Sequence, residues 1–238
     1  MIRLALPDGH QQKHVIGLFD KTSLALSGYQ LGAPEKRPGI SLAGVAVTVI
    51  RPQDMPGQVA AGNFDLAVTG LDWLLDHLCR FPKSPVEALL SLGIGRVRVV
   101  AVVHEQVGAE SMDDLKRLLA EGSIGRPFFR IASEYVNLAD RFALHHHIVD
   151  YRVIPTYGAT EALIPEDADL IIENTETGTT LAKNRLKIVG ELFVSTGCLI
   201  GRKGILDERD RAVEEFVGEL ARVPGVTACR DAGPVKRE

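Results

Sequence analysis

Asp169–Leu186, DLIIENTETGTTLAKNRL, decides how the rest of the chain is read. Leu170-Ile171-Ile172 is a short apolar run of the kind that forms a buried strand. A polar loop, Glu173 to Thr180, follows, and Leu181 to Leu186 reads as a short helix. Strand, Thr/Gly loop and helix together suit a phosphate: backbone N–H groups at the helix start point at the anion, and threonine hydroxyls add donors. Gly178 lets the backbone come close. Glu173 and Glu176 would repel a bare phosphate, but they suit ribose hydroxyls or a bridging magnesium ion, so a sugar phosphate fits better. The same residues also fit a plain helix N-cap whose threonines bond locally.

A wider pattern accompanies this stretch. Thr177-Gly178-Thr179-Thr180-Leu181 with Asn184 and Leu186 resembles the T-G-x-T-L-x-x-N-x-L loop of the ATP phosphoribosyltransferase family, the first enzyme of histidine biosynthesis. Further blocks match in the family's order. Arg51-Pro52-Gln53-Asp54-Met55-Pro56 stands for R-x-x-D-I-P, and Asp65 to Asp72 for D-L-G-I-T-G-x-D. Ser133-Glu134-Tyr135 is similar to A-T-x-Y, and Gly158 to Pro165 to G-S-x-E-x-A-P. Cys198-Leu199-Ile200 matches the end of A-C-L-I. The likeness covers about residues 1–202.

Two departures stand out. Where the family has P-K-G-R or S-G-R after its first strand, this chain has Pro7-Asp8-Gly9-His10. Asp8 and His10 replace basic residues that reach the reacting phosphates, which leaves His10 or Lys13 to supply charge there. Glu173 stands where the family usually has Asp, and the extra methylene shifts the sugar.

The 238 residues make a sizeable core and one large or two modest domains. Hydrophobic content of 45% and charged content of 24% are those of an ordinary globular protein. A net charge of −4 gives no bulk attraction for nucleic acid. Three well-separated cysteines, Cys79, Cys198 and Cys229, suggest reduced thiols rather than a disulfide framework. The start MIRLALPDGH lacks a signal peptide's apolar stretch, and no run approaches the roughly 18 apolar residues of a membrane span. The expectation is a soluble, cytoplasmic protein. His145-His146-His147 point in different directions on a helix, so a solvated helix end is favoured over a metal site.

Strands are expected at Ile2–Leu6, Val45–Ile50, Asp65–Val68, Arg96–Val103, Phe128–Ala132, Val149–Ile154, Ile188–Phe193 and Gly197–Ile200. Helices are expected after Gly9 and at Trp73–Leu78, Val86–Leu92, Ser111–Leu119, Asn137–His146 and Asp207–Arg222. Residues 27–44 read as loop, and the tail PVKRE as frayed. Asp54 is placed as a helix N-cap with Pro56 in the first turn. The βαβ alternation gives an α/β class with mainly parallel sheets.

The resemblance specifies a two-lobed, periplasmic-binding-protein-like (type II) fold with two crossover strands. Lobe I takes residues 1–100 plus 188–238, lobe II residues 101–187 with the phosphoribosyl-diphosphate loop, and the site lies between them. It implies phosphoribosyl transfer from phosphoribosyl diphosphate to N1 of ATP, with release of diphosphate. By resemblance, Glu173, Glu176, Thr177, Gly178, Thr179 and Thr180 hold phosphoribosyl diphosphate, and Gly9, His10, Arg51, Gly70, Asp72, Ser133, Tyr135 and Glu161 line the nucleotide side. Arg51 and Glu173 take catalytic roles, and the N–H groups of Gly70 and Leu71 face the ligand. Magnesium arrives with the substrate near Glu173, with no side-chain metal cluster of its own. The 36 residues after 202 are too few for the further domain of long forms, since one βαβ unit alone takes about 30. A short form implies a histidyl-tRNA-synthetase-like regulatory partner and a homodimer. Two other readings stay open: a paralogue acting on another purine nucleotide in a specialised nucleoside pathway, and a non-catalytic ligand-binding companion.

Overall fold

A computed structural model describes residues 1–122 and 127–229. The tail Pro234–Glu238 lies outside the described residues. The strands are β1 Ile2–Pro7, β2 Leu26–Ser27, β3 Gly39–Ile40, β4 Val45–Ile50, β5 Leu66–Gly70, β6 Val86–Ser91, β7 Val97–His104, β8 Phe129–Ser133, β9 Tyr151–Pro155, β10 Leu170–Thr175, β11 Leu186–Ser195, β12 Gly197–Arg202 and β13 Thr227–Ala228. The α-helices are α1 His10–Phe19, α2 Met55–Ala60, α3 Leu71–Arg80, α4 Met112–Ala120, α5 Val136–His145, α6 Thr179–Lys183 and α7 Arg211–Ala221.

The chain forms two compact units. Unit 1 is Met1–Arg96 with the chain from Thr196 on, and unit 2 is Val97–Ser195. The boundaries expected at 100 and 188 fall instead at 96/97 and 195/196, because β11 pairs along β7 from Leu186↔His104 to Ser195↔Val97 and keeps both strands whole in unit 2.

Unit 1 carries the strand order β13-β6-β12-β5-β1-β4. β1 is parallel to β4 and β5, while β12 runs antiparallel to β5 and β6. Leu4 and Leu6 of β1 pack on one face with Val15, Leu18 and Phe216; Ala5 packs on the other with Met55 and Leu74. This alternation is the period of two that a pleated strand imposes. Unit 2 has the order β11-β7-β10-β8-β9, with β10, β8 and β9 parallel and β7 antiparallel to its neighbours. Val99, Ala101 and Val103 enter one core cluster and Val100 and Val102 the other. A β-branched run buried on both faces is what a central strand needs.

Val86–Leu92 corrects one expectation. It is a strand, β6, not a helix. Its apolar run VEALL has no period strong enough to separate the two readings, and pairing with β12 and β13 satisfies its backbone. Residues 27–44 contain the short β2–β3 hairpin. Asp54 sits at the start of α2 but makes no side-chain cap bond. Ser111 does cap α4, accepting from the Asp114 N–H.

One ion pair fixes the edge of unit 2. Arg130 on β8 donates Nε and Nη2 to Asp169, at 3.2 and 2.9 Å, and Nη1 to the Glu166 carbonyl at 2.8 Å. Both side chains are largely buried. Removing one partner strands the other's charge, so Arg130→Met is expected to lower unfolding free energy by about 3 kcal/mol in urea titrations.

Candidate active site: the carboxyl ends of the parallel strands

Parallel strands end on one side of their sheet, and loops at that edge are where α/β folds gather ligands. In unit 1 those ends are Pro7, Ile50 and Gly70, so Gly9, His10, Arg51, Gly70 and Asp72 lie on one edge. In unit 2 they are Ser133, Pro155 and Thr175, which bring Ser133, Tyr135, Glu161, Glu173 and the Glu176–Thr180 loop to one edge. Within each unit the chain also crosses over at this edge, since Gly197 pairs with Gly70 and Arg98 with Thr175.

The Thr/Gly loop is open. Gly178 has φ 76°, and a side chain there would meet nothing within 4 Å. Thr177, Thr179 and Thr180 are exposed. Part of the loop's bonding is internal: the Gly178 N–H donates to Thr175 Oγ1 at 2.9 Å, and the Thr177 and Thr179 hydroxyls share a bond of 2.8 Å. Asn184 Nδ2 donates to the Thr180 carbonyl at 3.0 Å and closes α6, which begins two residues earlier than expected.

Glu173 is half-buried on β10, behind this loop. Its carboxyl is raised to about 7: burial is the main cause, Glu134 and Glu161 add to it, and bonds from the Asn174 N–H and the Thr160 hydroxyl act the other way. Thr160 is fully buried and its hydroxyl also meets that of Thr156 at 2.7 Å. Neither Glu134 nor the Thr156–Thr160 pair was singled out from sequence. They are near neighbours of Glu173 only because β8, β9 and β10 lie side by side.

Ser133 and Tyr135 depart from the cleft-facing role expected of them. Both have no exposed surface. Ser133 Oγ donates to the Ile172 carbonyl and accepts from the Tyr135 N–H, and the Tyr135 hydroxyl accepts from Asn174 Nδ2 at 2.8 Å. They brace β10 beside Glu173. Gly70 and Asp72 are likewise inside. Asp72 is 3% exposed, and a Cβ on Gly70 would lie 2.0 Å from its Oδ1. The Leu71 N–H, expected to be open to a ligand, donates to the Thr196 carbonyl at 3.0 Å. Gly9, His10 and Arg51 are exposed, and Gly9 has φ 67°, ψ −142°, a conformation that only glycine holds without strain. Glu161 is half-buried in a 3-10 turn, Thr160–Leu163.

No group of three or more His, Cys, Asp or Glu among the described residues is arranged to hold a metal, the three consecutive histidines included. Among those residues no helix is long and apolar enough to cross a membrane.

The family model described as HisG: ATP phosphoribosyltransferase matches residues 51–222. This chain belongs to that family. An ATP phosphoribosyltransferase of Mesorhizobium japonicum is 30% identical over 237 residues, covering 94% of this chain and 100% of the relative. One from Chlorobium chlorochromatii is 32% identical over 205 residues, and the chain spans 64% of that relative's length. In structure, the ATP phosphoribosyl transferase (HisG:HisZ) complex from Thermotoga maritima aligns at a TM-score of 0.69 and 23% identity, covering 92% of this chain and 96% of that one. The periplasmic aliphatic sulphonate binding protein SsuA from Escherichia coli aligns at 0.53 and 11% identity, over 92% and 67%. The fold is therefore the periplasmic-binding-protein-like α/β fold of these two solved structures.

A carboxyl raised in the folded state opposes folding once the unfolded chain ionises. Wild-type stability accordingly falls as pH rises from about 4.5 to about 7 on account of Glu173. Glu173→Gln is expected to gain at least about 1 kcal/mol over wild type between pH 5 and pH 8 in urea titrations, with no gain below pH 4.5.

Proposed function

We propose that this ATP phosphoribosyltransferase joins the purine N1 of ATP to the anomeric carbon of phosphoribosyl diphosphate, in the first step of histidine biosynthesis. The carbon–nitrogen bond forms as the carbon–oxygen bond to diphosphate breaks, and diphosphate leaves with the electron pair. No side-chain nucleophile takes part. Catalysis rests on holding two anionic substrates in line and stabilising the charge that develops on the leaving group.

The observation that carries this reading is the exposed Thr177–Thr180 loop at the carboxyl end of β10, with Glu173 directly behind it. The loop's hydroxyls and its Gly178 backbone suit the 5-phosphate, and Glu173 suits the ribose hydroxyls. Arg51, exposed after β4, suits a phosphate group of the nucleotide. Ser133, Tyr135, Gly70 and Asp72 position the loops rather than touch substrate. Magnesium, which keeps several waters and is held by one or two carboxylates plus substrate phosphates, screens diphosphate charge when it arrives with the substrate. A single carboxylate such as Glu173 fits that role, with no all-protein cage. Binding magnesium or hydroxyl donors favours the ionised carboxylate, so substrate binding draws a proton off Glu173 near neutral pH.

The Thermotoga relative is a HisG:HisZ complex, which supports a HisZ-like regulatory partner for this chain. A homodimer and a cytoplasmic location accompany the reading as expectations.

The test is turnover. The pure chain with phosphoribosyl diphosphate, magnesium, ATP and pyrophosphatase is expected to form phosphoribosyl-ATP, followed by absorbance and mass. Thr177→Val with Thr180→Val is expected to abolish calorimetric binding of phosphoribosyl diphosphate. Binding without product from ATP, and product from another purine nucleotide, would replace the acceptor. Unchanged affinity in the double variant would remove the loop from the account.

A further inference from the structure

A cation stands beside Asp8 at the carboxyl end of β1. Lys36 Nζ lies 3.3 Å from Asp8 Oδ2. Sequence gave no hint of it, because Lys36 sits in the Gly/Pro-rich stretch between β2 and β3.

The fold delivers that lysine by several independent bonds. The β2–β3 hairpin closes the loop at its base. The buried Tyr29 donates its hydroxyl to the Pro7 carbonyl, and Gln12 Nε2 donates to the Gln30 carbonyl at 3.0 Å. The Lys36 carbonyl accepts from the Val49 N–H at 2.9 Å, and the Asp8 N–H donates to the Ile50 carbonyl at 3.1 Å. Lys36 and Asp8 are thus each tied by their backbones to the end of β4, on the edge that carries Arg51. Lys36 is exposed and Asp8 half-buried, 58% and 34% at the two side chains, and ion pairs open to solvent add little to stability. Folding does not require it. An ammonium has three N–H donors, and one carboxylate leaves the others for phosphate oxygens.

We propose that Lys36, oriented by Asp8, is the cation that meets a substrate polyphosphate at the carboxyl end of β1. The inference rests on the phosphoribosyl transfer proposed above. Asp8 is a positioning residue, and Lys36 is the group that touches substrate.

The variants are Lys36→Met and the double variant Asp8→Lys with Lys36→Met. Lys36→Met is expected to lower kcat/KM about tenfold or more, the scale of one charge-assisted hydrogen bond, with Tm unchanged. The double variant returns the charge to the strand end and is expected to recover activity to within about threefold of wild type. A raised KM for phosphoribosyl diphosphate identifies the donor's diphosphate as the group contacted, and a raised KM for ATP identifies the acceptor's triphosphate. Wild-type kcat/KM in Lys36→Met, or no recovery in the double variant, overturns the inference while the transferase reading stands. Should the wild type bind phosphoribosyl diphosphate–magnesium and ATP in calorimetry without turning over, a tenfold affinity loss for either ligand in Lys36→Met supports the inference and equal affinities overturn it. A wild type that binds neither overturns both.

Discussion

Burial of β7 on both faces is the interaction on which unit 2 depends. Val99 through Val103 have no exposed surface, and they divide alternately between two core clusters. A fully buried valine contributes about 1.5 kcal/mol or more, so this run has nowhere to go but the middle of a sheet. With β7 central, β10 pairs on one side and β11 on the other. β10 in turn carries β8 and β9 parallel to itself. Three strand ends therefore fall on one edge, and everything assigned to substrate in this unit stands there. β1 plays the corresponding part in unit 1, with β4 and β5 beside it.

The charges on these edges are unusual in complementary ways. In unit 2, burial, with Glu134 and Glu161 nearby, raises the Glu173 carboxyl to about 7 against the bonds it accepts from the Asn174 N–H and the Thr160 hydroxyl. In unit 1, Lys36 from the loop between β2 and β3 stands beside Asp8 just past the end of β1. A net charge of −4 offers anionic ligands no bulk attraction, so a site for them depends on local groups of this kind.

Most strands were legible because their periodicity and turn residues agree. β4 was read to the residue, and the Ser111 cap of α4 follows from one serine and one aspartate three residues apart. The Thr/Gly loop was legible as a motif. What sequence left hidden was contact across distance. The VEALL run of β6 does not by itself distinguish helix from strand, and the partners that decide it, β12 and β13, lie more than a hundred residues away. Ser133 and Tyr135 are placed on the ligand side by their resemblance to the A-T-x-Y turn, but their hydroxyls are committed to β10. Lys36 could not be found at all from local pattern, since its meaning comes from Asp8.

The central claim is that the edge around β10 holds phosphoribosyl diphosphate. Amide hydrogen exchange of the whole chain, with and without phosphoribosyl diphosphate and magnesium, tests it most directly. The account predicts slowed exchange across residues 173–184, with β9 and the amino ends of the strands unchanged. Unchanged exchange at 173–184, with protection appearing elsewhere, would contradict it.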